Sequence, residues 1–168
     1  MATISKKICL IGDFGVGKTS LIRRFVERQF SDQYLSTVGV KISRKTIELT
    51  DSTPQKIQLL IWDLEGHTKF KSIAPSYLKG ASGAIIVGDV TRQETIDNIP
   101  ERAKLFSDVN PKGMMIYALN KSDLVDEEKM AKMPQFKDLE RVIATYPTSA
   151  KTGSYVDEIF QKLAYGML

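Results

Sequence analysis

The chain has 168 residues, 42% of them hydrophobic and 26% charged, the balance of a soluble globular protein that buries about two thirds of its unfolded surface in one core. No apolar run approaches the roughly 18 residues of a membrane helix. The start runs directly into the apolar residues 8–11 and then Gly-Asp, unlike a secretory signal, so a cytoplasmic protein is expected. The net charge of +4 is spread over pairs no longer than Lys6-Lys7 and Arg23-Arg24, which argues for a solvated surface and against nucleic-acid binding. The one cysteine, Cys9, permits no internal disulfide and reads as a small buried hydrophobe.

Strands and helices alternate along residues 1–168 without repeats or low-complexity tracts, which predicts one α/β domain. Residues 8–11 form a buried-strand run. A glycine-rich turn follows, then a stretch whose Leu21, Ile22, Phe25 and Val26 have helical spacing. Residues 40–49 and 56–62 read as two strands joined by the turn chemistry of Asp51, Ser52, Thr53 and Pro54, which predicts the one antiparallel hairpin. Residues 84–87 and 114–119 are short apolar runs suited to central parallel strands, with a helix expected over 92–107 between them. A short strand near 141–146 precedes a helix marked by Val156, Ile159, Phe160 and Leu163 at i, i+3, i+4 and i+7. The count is six strands and about five helices.

Between the first strand and helix lies Gly12-Asp13-Phe14-Gly15-Val16-Gly17-Lys18-Thr19, a P-loop pattern in the context its mechanism needs. Its glycines let successive backbone N–H groups, those of Gly15, Val16, Gly17, Lys18, Thr19 and Ser20, curl round phosphates at a helix N-terminus. Lys18 is placed to reach the outer phosphates, and the Thr19 hydroxyl to ligate magnesium. The motif predicts a three-layer P-loop NTPase fold whose six-stranded, mostly parallel sheet carries one antiparallel edge strand. Base choice comes from Asn120-Lys121-Ser122-Asp123: the Asp123 carboxylate offers two acceptors to guanine N1–H and the exocyclic amine, whereas adenine has no N1 proton. This segment follows the 114–119 strand, at the sheet edge where ligands of parallel sheets bind.

These motifs, with Ser36-Thr37-Val38-Gly39, Trp62-Asp63-Leu64-Glu65-Gly66-His67 and Ser149-Ala150-Lys151 in the same order, resemble the Ras superfamily of small GTPases over nearly the whole chain. The resemblance implies GTP or GDP and Mg2+ as ligands. It implies that Thr37 completes the magnesium shell and senses the γ-phosphate, that Asp63 holds magnesium through water and that the Gly66 N–H contacts the γ-phosphate. By the same resemblance Phe30 packs against guanine and the Ala150 N–H reaches its O6, with Ser149 and Lys151 beside it. Trp62, Phe70, Ser76-Tyr77 and Lys79-Gly80-Ala81 are similar to Rab proteins. Trp62 and Tyr77 match two members of the Rab effector-binding aromatic triad, and Ile42 stands where the third is normally Phe.

The pattern departs from the family at three places. Relatives read Asp-Thr-Ala-Gly-Gln in switch II, whereas Leu64, Glu65 and His67 stand here, so the glutamine that orients the attacking water is replaced by an imidazole. Phe14 adds bulk where an activating protein would insert an arginine. The chain ends Tyr165-Gly166-Met167-Leu168 without a prenylation cysteine, so no lipid anchor is expected on it. Three origins remain open for that end: a trimmed chain, a soluble relative such as a prokaryotic Rab-like GTPase, or one domain of a longer protein. The expected function is a monomeric switch with Lys18, Thr37, Gly66 and His67 at the chemistry and slow hydrolysis. Effector, exchange-factor and activating proteins would meet it on the segments around Thr37 (switch I) and Gly66 (switch II) and the Trp62, Tyr77 and Ile42 surface. The alternative is a nucleotide-bound scaffold with negligible turnover.

Overall fold

The computed structural model describes residues 3–31, 40–49, 55–64, 73–134, 136 and 141–168. Its strands are β1 (Thr3–Gly12), β2 (Val40–Leu49), β3 (Gln55–Leu64), β4 (Gly83–Asp89), β5 (Met114–Asn120) and β6 (Val142–Pro147). They form one sheet in the order β2-β3-β1-β4-β5-β6. Among the described residues only the β2–β3 pair is antiparallel, and β2 is an edge strand, as the hairpin reading requires.

Among the described residues there are five α-helices: α1 (Lys18–Glu27), α2 (Gln93–Asp97), α3 (Ile99–Val109), α4 (Glu127–Ala131) and α5 (Val156–Gly166). The single helix expected over 92–107 is two. Pro100 occupies the first turn of α3, where its missing N–H is harmless, and it disfavours helical backbone at the residue before it. The break after Asp97 re-aims the chain, and both pieces pack on β4. β1 begins at Thr3, earlier than its apolar run, because Thr3 to Lys7 still pair with β3. Ladder hydrogen bonds extend the strand past its buried part.

Side chains of the central strands alternate between two cores. On one face Ile8, Leu10, Ile85, Val87, Ile116 and Ala118 meet α1 and α5; on the other Cys9, Ile11, Ala84, Ile86, Met115 and Tyr117 meet α2 and α3. α1 and α5 join through the Phe25 and Phe160 rings, stacked at 4.1 Å. Beside them Arg28 holds Asp157 through two hydrogen bonds of 2.5 and 2.9 Å, which keep that carboxyl below its usual range. Cys9 is the expected buried thiol, pushed up to about 12 by burial.

Both aromatic and ionic links fasten α1 to α5, but only the rings are removed from water. Phe160→Ala should lower unfolding free energy by about 3–5 kcal/mol, as for large-to-small core changes. Arg28→Ala should lower it by less than about 1 kcal/mol, because exposed ion pairs are screened. Urea denaturation of the two variants checks this, and equal losses would count against it.

Candidate functional site

β1 runs between β3 and β4 and ends at Gly12, where the chain must pass very close to β4. A Cβ there would lie 2.4 Å from the Val87 carbonyl oxygen. Beyond it the loop turns into α1 through Gly17, whose φ of 103° places the backbone in the left-handed region. α1 begins with no side-chain cap and no acidic residue in its first turn. The dipole at this end of α1 favours an anion.

Lys18 folds back over this loop, and Nζ donates to the carbonyls of Gly12 (3.2 Å) and Asp13 (3.3 Å). It is only 6% exposed. Burial, chiefly, lowers its pKa to about 8; Asp63 and Asp13 oppose the shift, and Arg102 and Arg92 add to it. An ammonium so placed gains most when a phosphate arrives.

Asp13 falls at a variable position of the P-loop pattern, yet it is a structural anchor. Its Oδ1 accepts from Arg102 at 2.8 and 3.1 Å and its Oδ2 from Asn98 Nδ2 at 2.8 Å. The start of α3 is thus fixed to the loop by a buried ion pair in which two guanidinium N–H groups share one carboxylate oxygen. Arg92, just before α2, donates to the Phe14 carbonyl at 2.8 Å. The sequence signal for these contacts was absent, since Asn98 and Arg102 lie more than eighty residues from their partner.

The loops that follow β5 and β6 converge on the same cradle. Asn120 Nδ2 donates to the Val16 carbonyl at 3.0 Å, and its Oδ1 accepts from Thr148 Oγ1 at 3.1 Å. Lys121 Nζ lies 2.9 Å from Asp89 Oδ2 and donates to the Gly15 carbonyl at 3.0 Å. Burial works against ionisation of Asp89, but the Thr91 hydroxyl and N–H together with Lys121 outweigh it and hold the carboxyl below its usual range. Asp123 is exposed, with Oδ1 steered by Ser149 Oγ at 2.8 Å. Ser149, Ala150 and Lys151 are pinned from α1, where Arg24 donates to the carbonyls of Ala150 (2.7 Å) and Lys151. Arg24, Asp89 and Thr148 therefore belong to the site, although no motif marked them. Phe30 lies just beyond α1, its ring half-buried against the core.

Thr19 Oγ1 donates to Asp63 Oδ2 at 2.5 Å, which sets a hydroxyl and a carboxylate oxygen side by side at the helix N-terminus. The described residues contain no group of three His, Cys, Asp or Glu side chains fit to hold a metal. The pair nonetheless suits Mg2+, which takes hard oxygen ligands, keeps waters and shares substrate phosphates rather than filling an all-protein cage. Thr37, Gly66 and His67 lie outside the described residues.

On the far side of the sheet Ile42 pairs in register with Trp62 across β2 and β3. Lys7 Nζ caps the Trp62 ring at 3.7 Å, a cation–π contact that holds the indole half-buried. Ile42 and Tyr77 are 49% and 41% exposed, so this face presents apolar surface to solvent.

If phosphate stabilises charged Lys18, nucleotide binding must take up a proton wherever free Lys18 is neutral, which is above pH 8 or so. Affinity for GDP should fall by up to about tenfold per pH unit in that range. Calorimetric titration in buffers of different ionisation enthalpy should show little uptake at about pH 7 and the greater part of a proton at about pH 8.5. Equal uptake at both would rule this out.

A family model described as the Ras family matches residues 7–168. RABF2b of Arabidopsis thaliana is 40% identical, the match covering 96% of this chain and 80% of the relative. Rab-13 of Canis lupus familiaris is 38% identical over 96% and 79%, and the GTP-binding protein ypt5 of Schizosaccharomyces pombe 35% identical over 98% and 78%. With this cradle and these relatives, the chain belongs to the Ras family and is a Rab-like, GTP-binding small GTPase.

Proposed function

We propose that residues 1–168 form one GTPase domain, a switch that binds GTP or GDP with Mg2+ and hydrolyses GTP slowly. The observation that carries the reading is the convergence of Lys18, Asn120 and Ser149-steered Asp123 around one loop. Phosphate and base recognition are thereby supported by a common frame. Thr19, Asp63 and Thr37 would hold Mg2+, whose charge neutralises the outer phosphates. GTP would order the segments around Thr37 and Gly66, effectors would read that surface together with Ile42, Trp62 and Tyr77, and hydrolysis would release it. Exchange factors and activating proteins would act on the same segments.

Base recognition is assigned to Asp123. Asp123→Asn should weaken GTP binding and shift preference toward XTP, since an amide can donate to the xanthine 2-oxo group and a carboxylate cannot. Competition binding decides it, and a full retained preference for GTP would sink the assignment.

The slow rate follows from His67. A neutral imidazole cannot offer the water and a γ-phosphate oxygen the paired acceptor and donor of a glutamine amide. Single-turnover hydrolysis is expected at or below about 10⁻⁴ s⁻¹, the scale of the intrinsic Ras reaction. His67→Gln should raise it, and His67→Ala should leave it nearly unchanged. A fast wild-type rate lost on His67→Ala would instead make His67 the catalytic group. The scaffold reading is favoured by the same His67 and by the bulk of Phe14, 43% exposed at the crest of the loop. It predicts that GTP outlasts the assay in all three proteins.

A further inference from the structure

We propose that Arg92 is a catalytic residue of GTP hydrolysis, supplying from within the chain a guanidinium to the charge that develops on the γ-phosphate. The inference rests on the GTPase reading above and adds to it the group that sustains the residual rate.

Arg92 stands in the turn between β4 and α2, and its Nη1 donates to the carbonyl of Phe14 at 2.8 Å. Phe14 is the crest of the loop that Lys18 spans from Gly12 and Asp13. The guanidinium is close enough to the phosphate cradle to be felt there, since it is among the cations that depress Lys18. Two other cations near the loop are committed among the described residues. Arg102 is locked on Asp13, with a side chain only 14% exposed. Lys121 sits on Asp89 and the Gly15 carbonyl.

Arg92 is held differently. Its side chain is 41% exposed, and the carboxylate it faces among the described residues, Asp89, lies at 3.9 Å, beyond hydrogen-bond distance. A guanidinium carries five N–H donors in a planar fork. Among the described residues it makes one hydrogen bond, to a neutral carbonyl. The remaining donors can turn toward a phosphate oxygen while that anchor keeps the side chain over the loop.

The chemistry needs such a group. In hydrolysis the water oxygen bonds to the γ-phosphorus while the bond from that phosphorus to the β–γ bridging oxygen breaks. The electron pair stays with GDP, and the proton released by water ends on inorganic phosphate. Negative charge moves onto the bridging and equatorial oxygens, so a cation already fixed nearby favours the transition state over the ground state. A guanidinium resting on the Phe14 carbonyl is in place before any partner has to pass the Phe14 ring.

The test compares wild type, Arg92→Ala, Arg92→Lys and, as a control on the exposed face of α3, Lys104→Ala. Arg92→Ala should hydrolyse GTP about tenfold more slowly or worse in single turnover, the loss of one charge-assisted hydrogen bond made in the transition state. It should also lose the ability to form a GDP–aluminium fluoride complex without a partner, while its GDP affinity stays within about twofold of wild type. Arg92→Lys should fall between, and Lys104→Ala should match wild type. Unchanged hydrolysis and complex formation in Arg92→Ala would overturn the inference. So would a loss of GDP affinity parallel to the loss of rate, which would make Arg92 a brace of the loop. A wild type that binds no GDP would overturn the GTPase reading and this inference together, whereas failure confined to the Arg92 comparison leaves that reading standing.

Discussion

A single buried amide joins the working loops of this protein. Asn120 ends β5, is 2% exposed, and hydrogen-bonds the P-loop through the Val16 carbonyl and the 148–151 segment through Thr148. A buried amide that loses a partner forfeits about 1–3 kcal/mol of desolvation. All three loops are therefore held to one arrangement. Gly17 shows how tight it is: a Cβ there would lie 2.3 Å from the Asn120 Nδ2. The glycine is required both by its left-handed backbone and by the amide packed against it.

Around that joint the protein buries charge. Lys18, Asp13, Asp63 and Asp89 are each no more than 6% exposed. Burial of ions is expensive unless each is paired and hydrogen-bonded. Asp13 and Asp89 are well compensated, by Arg102 and Asn98 in one case and by Lys121 and Thr91 in the other. Lys18 is less so, because two backbone carbonyls only partly replace water around an ammonium, and its depressed pKa records the difference. An anionic ligand bound there would supply the missing charge and recover that stability as affinity.

The Trp62 face follows a different logic. Its indole is covered by the Lys7 ammonium, while Ile42, opposite it in register, and Tyr77 stay open to solvent. Sheet register alone brings Ile42 and Trp62 together, twenty residues apart in sequence. The apolar patch and Asp63 share one strand, since Asp63 follows Trp62 directly near the end of β3.

The strand count, the antiparallel edge and the glycine cradle were legible in the sequence because they rest on local causes. Apolar runs of strand length bury themselves, turn residues close hairpins, and a glycine-rich turn between strand and helix presents N–H groups to an anion. The helix break at Pro100 was locally encoded too, but the apolar positions on either side obscured it. Other features depend on distance in sequence and were settled only by folding. Asp13 reads as one more loop residue until α3 brings Arg102 and Asn98 to it. Arg24 reads as the polar face of α1 until α5 packing sets it on the Ala150 carbonyl. Arg92 reads as a solvated turn residue until the strand order puts β4 beside β1 and the turn after it over Phe14. Local sequence chooses backbone conformation over a few residues, whereas the partners of a charge are chosen by which strands lie adjacent in the sheet.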